Sequence, residues 1–459
     1  MRIINPAGCL TTSVLLLAML CTAAPAKIIH VDDDATGAND GSSWPDAYRT
    51  LQDALMMASA GDEIRVARGI YRPDQFVLSK RPNLGRMETF QLKSGVAIRG
   101  GYAGFGEPDP NARSIELYGT ILSGDLSGND IDVNDPAGLQ DELTRTENSY
   151  HVVTGSGTDQ TAVLDGFVIT AGNADGPVVG DEADYDYSFT EGAGMYNDSG
   201  SPTLTRCTFT ANSARYGGGI YNYGHSSPVL THCTFSANSA NGWGGGMYNG
   251  GSSPILTRCT FRGNWADDWG GGMANNYSSP TLDHCVFSGS AAADWGGGAM
   301  YSNYSSPKLT GCILWGDTPD EIYVSGVVPV ITYCDVQGGW PGEGNIDVDP
   351  LFADPNDGDY HLKSQAGRYD PDSKTWVIDD LTSPCIDAAG RFTPIGNEPF
   401  PNGGIGNLGA YGGTAEASKS YFGEPVCNTI VAGDINGDCK IDLRDFMIMA
   451  FHWLQDNSP

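Results

Sequence analysis

Apolar positions in this chain come in short, evenly spaced clusters rather than in long runs. From Gly192 to Asp317 a unit of 26 or 27 residues recurs, reading Ser-Pro-x-Leu, Cys-Thr-Phe, Ala-Asn-Ser-Ala and Gly-Gly-Gly-Met-Tyr-Asn. Cys207, Cys233, Cys259, Cys285 and Cys312 lie 26, 26, 26 and 27 residues apart, and Pro202, Pro228, Pro254, Pro280 and Pro307 keep the same step. A fixed period of this length predicts stacked, equivalent turns. Each unit holds three apolar runs of two to four residues, set apart by Pro, Asn and Gly corners, and none is long enough for a helix. Leu204, Cys207, Phe209 and Asn212 also fit the spacing of a leucine-rich repeat. The return segment decides against it, because three glycines, a Met and a Tyr do not build the returning helix of that architecture. The pattern predicts an all-β parallel β-helix with three short strands per coil. Each residue would then sit over its equivalent at about 4.8 Å, with Leu, Cys, Phe and Met ladders inside.

Phe209-x-x-Asn212, Phe235-x-x-Asn238 and Phe261-x-x-Asn264, with Gly217-Gly218-Gly219-Ile220 and Gly244-Gly245-Gly246-Met247, resemble two known repeats. These are the FxxN and GGxI repeats of polymorphic outer membrane proteins and of right-handed parallel β-helix proteins in the pectin-lyase-like superfamily. The resemblance covers most of the mature chain and implies a single right-handed parallel β-helix. It implies a fold more than an activity, since that superfamily includes polysaccharide lyases, hydrolases and adhesins.

Outside the repeat the pattern divides the chain further. Residues 1–26 read as a signal peptide, with Arg2, an apolar run from Val14 to Leu20 and the small-residue site Ala24-Pro25-Ala26. Residues 27–61 hold a strand, Ile28 to Val31, and a capping helix from Asp46 to Ser59 on which Ala47, Leu51, Ala54, Leu55 and Ala58 share a face. A cap is needed because an open β-helix end would add a further strand edge to edge. Asp32-Asp33-Asp34 reads as a solvated turn. Residues 62–412 form the β-helix, interrupted by Gly104 to Arg113 with Asp125 to Glu147, and by an acidic, aromatic insertion, Gly180 to Glu191. Segments after Cys334, such as Asp347 to Phe352 and Leu408 to Gly412, read as closing coils; 413–426 is a linker and 427–459 a separate small module.

Composition agrees with stacked turns, since 62 of 459 residues are Gly and only 18% are charged. The net charge of −31 excludes nucleic acid and anionic membrane as partners and favours divalent cations. With a signal peptide and no transmembrane segment, the chain is expected to be secreted, extracellular or at the cell surface. Once Cys9 and Cys21 are removed with the signal, five of the remaining nine cysteines belong to the ladder, where they read as buried small hydrophobes; Cys427 and Cys439 form a separate pair.

The strongest local motif is in the last module. Asp434, Asn436, Asp438, Lys440, Asp442 and Asp445 fall at places 1, 3, 5, 7, 9 and 12 of a calcium loop, with the Lys440 carbonyl serving the seventh. Phe446, Ala450, Trp453 and Leu454 then mark a short helix. The segment resembles a type I dockerin repeat, which implies calcium as cofactor and a cohesin-like or cell-surface partner. Only one of the usual two repeats is present, and Cys439 stands where Gly is usual at place 6.

On the solenoid, Tyr196, Tyr221, Tyr248 and Tyr301 occupy one outward place, broken by Ala274, and could form a platform for polysaccharide rings. Asp268 and Asp294, 26 residues apart, are the candidate catalytic carboxylates, about 5 Å from each other if they stack, near the separation of a retaining glycosidase pair. Arg206, His232, Arg258 and His284 would make a basic strip. The chain has none of the Asn-Thr-Asp, Gly-His-Gly or Arg-Ile-Lys motifs of the polygalacturonases. The resulting expectation is an exported β-helix protein that binds carbohydrate or another surface and is attached through a calcium-binding tail. A carbohydrate-active lyase or hydrolase carried by a dockerin, and a purely architectural rod, are the alternatives.

Overall fold

One regular coil explains the repeat. Its strands are Thr203–Thr205, Thr208–Thr210, Ser213–Ala214 and Ile220–Tyr223. The strands of the following coil lie parallel to them in register, placing Leu204 beside Leu230, Phe209 beside Phe235, Ser213 beside Ser239 and Ile220 beside Met247. The three strands per coil expected from the apolar runs are therefore four. The added Ser-Ala strand carries no bulky side chain, so no apolar run marks it. Repetition builds parallel sheets of ten, nine, five and eight strands around one core. The computed structural model describes residues 26–75, 84–178, 188–391, 393–423, 432–435 and 440–452; the signal segment and most of the acidic insertion fall outside them.

Leu, Cys, Phe and Met or Ile from successive coils fill the interior and are fully buried. Phe209, Phe235, Phe261 and Phe287 stack with centroids 5.1, 4.5 and 4.6 Å apart. Cys207, Cys233, Cys259, Cys285, Cys312 and Cys334 are free, buried thiols, as a ladder of small hydrophobes requires.

Corners are made by single left-handed residues, in one coil Arg206 (φ 48°), Ala211 (φ 51°), Gly217 (φ 65°) and Gly224 (φ 64°). Two buried amide ladders secure them. The Asn212 side-chain amide donates to the Asn238 Oδ1 at 3.0 Å and Asn238 to Asn264 at 3.0 Å, while Asn238 and Asn264 also donate to the carbonyls of Phe209 and Phe235. Asn197, Asn222, Asn249 and Asn275 form the second ladder at 2.9 Å per step. The glycine triplet has a steric cause: a Cβ on Gly219 would stand 2.4 Å from the Gly246 carbonyl oxygen, so only glycine lets adjacent coils approach there.

The first end is capped as expected, by a shorter helix. Leu51–Met57 packs Leu51, Ala54 and Leu55 over the first coil, with Thr50 as N-cap accepting from the Asp53 N–H. Asp46 stays outside it because its carboxylate ties down the Ala38 N–H and the Ser43 hydroxyl in a polar loop. The triple Asp is not simply solvated: Asp32 is buried and accepts from the Phe105 N–H, anchoring the first insertion. The insertion around 125–147 is fixed to the solenoid by buried Arg145, which donates to the carbonyls of Gly172 and Ala211.

Beyond the last coil the expected closing coils are absent. Phe352–Asp354 pairs antiparallel with Asp359–Leu362, and Arg368–Asp370 with Thr375–Val377. This region folds back along the outside of the nine-stranded sheet, where Phe352, Tyr360, Leu362, Ile386 and Leu408 pack on Val286 and Ile313. Trp340 and Asn345 close the second end, the Asn345 amide donating to the Ile331 carbonyl. The start of the expected linker is packed too, with Ala417 buried and Asn407 donating to the Ser418 carbonyl. Nor is there a basic strip: Arg206 pairs with Asp165, Arg258 donates to the Gly412 carbonyl, and His284 is buried.

Candidate functional site: an aromatic face and a lateral groove

The outer face of the eight-stranded sheet carries two aromatic rows. Tyr196, Tyr221 and Tyr248 stack at 5.5 and 5.2 Å within 10° of parallel. A second row, Tyr216, Trp243, Trp269 and Trp295, starts from the loops before the glycines and folds over the first; Trp269 stacks on Tyr301 at 5.2 Å and Trp243 meets it edge-on at 5.5 Å, covering the place left by Ala274. The tyrosines point away from the core as alternation requires, yet Tyr221, Tyr248 and Tyr301 are only 5, 7 and 5% exposed. Their faces are occupied by one another, so the expected Tyr platform is instead a second, outer core. Burial, with Glu191 beside it, pushes the Tyr221 hydroxyl far up, and burial brings that of Tyr248 to about 12.

The face opens at one end. Trp295, the last of its row, is 61% exposed and Tyr323 is 42% exposed. Between them Gly296 is closely packed: a Cβ there would lie 3.1 Å from Asp320 Oδ1 and 3.2 Å from the Tyr323 ring. Asp294 is exposed beside Trp295.

The 26-residue step places Asp294 beside Asp268 along the stack, as their spacing implied. The Asp294 N–H donates to the Asp267 carbonyl and the Trp295 N–H to that of Asp268, the bonds of an unshifted parallel ladder, and the step becomes 27 only where Trp269 meets Gly296. Asp268 is half-buried and hydrogen-bonded to Trp243, and burial followed by the charges of Asp294 and Asp267 raises its carboxyl above the usual range. Asp294 stays in solvent.

In the tail, Asp434 and Asp445 are buried. The Asp445 carboxylate accepts from the N–H groups of Ile435 and Asp442, both at 2.7 Å, which folds place 12 of the loop back onto its beginning. Asp442 caps the helix Leu443–His452 through the Arg444 N–H, and Lys440 is exposed. Asn436 and Asp438, like Cys427, Cys439, Trp453 and Leu454, lie outside the described residues.

A further feature has no counterpart among the expected sites. A groove of about 720 Å³ runs along the outside of the nine-stranded sheet, between the 125–147 part of the first insertion, at Asn134 and Pro136, and the returning C-terminal region at Leu351, Asn356, Tyr360 and Lys363. Its floor is the column Thr210, Ser236, Arg262, Ser288, followed by Trp315. Arg262 is the signal that could have pointed to it, the one charge in a column of hydroxyls.

Residues 188–326 match the family model described as right handed beta helix region. The chain is a right-handed parallel β-helix. Part of the β-helix's returning region, residues 333–389, matches a model described as disaggregatase related. Among solved structures the β-helix is similar to pectate lyase Pel9A, at 13% identity over 85% of this chain and 97% of that one with a TM-score of 0.41. It is also similar to a rhamnogalacturonan lyase, at 12% identity over 78% and 96% with a TM-score of 0.38. No curated protein sequence matches it. Among the described residues no helix is long and apolar enough to cross a membrane.

Proposed function

We propose that this β-helix is an exported, non-catalytic protein that binds uncharged polysaccharide at the open end of its aromatic face and is attached through a calcium-binding tail. The observation that carries this reading is the exposed pair Trp295 and Tyr323 with exposed carboxylates at Asp294 and Asp320 beside them. An aromatic ring offers an apolar face to a sugar ring, and neighbouring carboxylates accept its hydroxyl protons. Their negative charge turns acidic chains away at this place. Asp268 and Asp294 serve as acceptors rather than as an acid-base pair, because Asp294 stands exposed in solvent, where its coupling to Asp268 is weak.

Trp295→Ala is expected to weaken retention on an uncharged polysaccharide by roughly tenfold, with the melting temperature unchanged and soluble sugar release at background throughout. Retention equal to wild type, or sugar release that disappears in Asp268→Asn, would overturn the binding assignment. Tyr221→Ala should act on stability instead, since its ring is inside the stack.

Calcium at the tail is supported by the acidic spacing and by the way Asp445 folds back to the start of the loop. Titration of the full chain with calcium is expected to show a tail site that is lost in the double variant Asp434→Ala, Asp445→Ala, while the unfolding of the β-helix stays the same. Undiminished affinity in that variant would rule the loop out.

A further inference from the structure

We propose that the lateral groove is a second binding site, for an elongated anionic oligosaccharide, separate from the aromatic face in both position and ligand. The first argument is charge. In a chain with 56 acidic and 25 basic residues, Arg262 and Lys363 both line this groove. Both are half-buried, and neither forms an ion pair with any described residue. Other half-buried arginines have partners: Arg113 pairs with Asp165, Arg368 with Asp359 and Asp379, and Arg258 donates to the Gly412 carbonyl. A half-buried cation without a partner is costly, and an anionic ligand relieves that cost with charge-assisted hydrogen bonds.

Shape supplies the second argument. The floor takes one residue from each of five successive coils, Thr210, Ser236, Arg262, Ser288 and Trp315. At about 4.8 Å per coil the groove is about 19 Å long, which suits a chain of several units better than a single small anion. Its volume of about 720 Å³ falls in the range of ligand sites.

The third argument is the lining. Hydroxyls at Thr210 and Ser288 and amides at Asn134 and Asn356 suit a ligand rich in hydroxyl groups, and the half-buried Trp315 offers a ring. A peptide would be held by main-chain pairing to a strand edge or by a series of apolar pockets. Here the strands on the floor are already paired on both sides and run across the groove. The acidic Asp349 at the rim sets a limit, since it would repel an anionic substituent placed at that end.

The test uses the full chain and three hexasaccharide probes: a polyuronate, a sulfated galactan and uncharged cellohexaose, each titrated by calorimetry. At least one anionic probe is expected to bind, more weakly as salt is raised, and the stronger of the two tells whether carboxylate or sulfate is preferred. Arg262→Gln and Lys363→Gln should each lower that affinity by about tenfold, while Trp295→Ala leaves it unchanged. Arg262 also packs over Gly358, so if its variant does not fold, Lys363→Gln decides alone. Binding of neither anionic probe, or binding undiminished in the folded variants, would overturn the proposal. Either result leaves the aromatic-face reading to its own variant and its own uncharged ligand.

Discussion

Phe261→Ala is expected to destabilise the protein by about 3–5 kcal/mol, the upper range for truncating a buried ring. Phe261 has no exposed surface and stacks between Phe235 at 4.5 Å and Phe287 at 4.6 Å, both nearly parallel to it. The walls of the cavity cannot collapse, because main-chain bonds hold the coils on either side at fixed spacing, as in Thr260 N–H to the Cys233 carbonyl at 2.9 Å. A solenoid coil contacts only its neighbours, so a weak coil also uncouples the two halves. The denaturation midpoint in urea should fall and the transition broaden or split. Phe261→Leu, which keeps most of the volume, should cost roughly half as much. A loss below about 1 kcal/mol for the alanine variant would mean that the ladder is not the core its burial indicates.

Stability is expected to be several kcal/mol higher near pH 5 than near pH 8. Burial raises the Glu398 carboxyl to about 7 and those of Asp335, Asp387 and Glu321 to about 6. Groups whose folded pKa lies above the unfolded one contribute stability that is complete below about pH 4 and is lost as pH rises through 6 to 7, because the folded state favours the neutral acid. Asp165 acts in the opposite sense. Burial works against it, but hydrogen bonds from Arg206 and Arg113 hold it below the usual range, and its contribution is lost as pH falls into the acid region. The optimum is therefore mildly acidic, and the self-repulsion of a net charge of −31 adds to the slope on the alkaline side. Glu398→Gln keeps an acceptor for the N–H groups of Asn407 and Gly413 and removes the buried charge. It should raise stability near pH 8 by about 2 kcal/mol and flatten the profile, since a shift of one pKa unit corresponds to about 1.4 kcal/mol. Urea unfolding across this pH range is the measurement; a stability that is level or rises toward pH 8 would contradict the assignment.

The amino-acid pattern alone determined the coils between Gly192 and Asp317, because in a stacked fold a sequence step of one period is a spatial step of one coil. Leu204 beside Leu230 and Phe209 beside Phe235 follow directly from that equivalence. The same rule failed where the period changed by a single residue. One extra position there pairs Gly296 with Trp269, so the step is 26 as far as Trp295 and 27 beyond it, and residues on the two sides of that point no longer share one spacing. Alternation placed the tyrosines outside the core, but their burial depends on Trp243 and Trp269 folding back from loops, a contact no periodicity encodes. The groove is further still from the linear pattern, since Asn134, Arg262 and Lys363 meet only because an insertion and a returning terminus pack on the same sheet. Repeats carry their own neighbours in the chain, whereas segments without a repeat are positioned by surfaces formed only after the solenoid has wound.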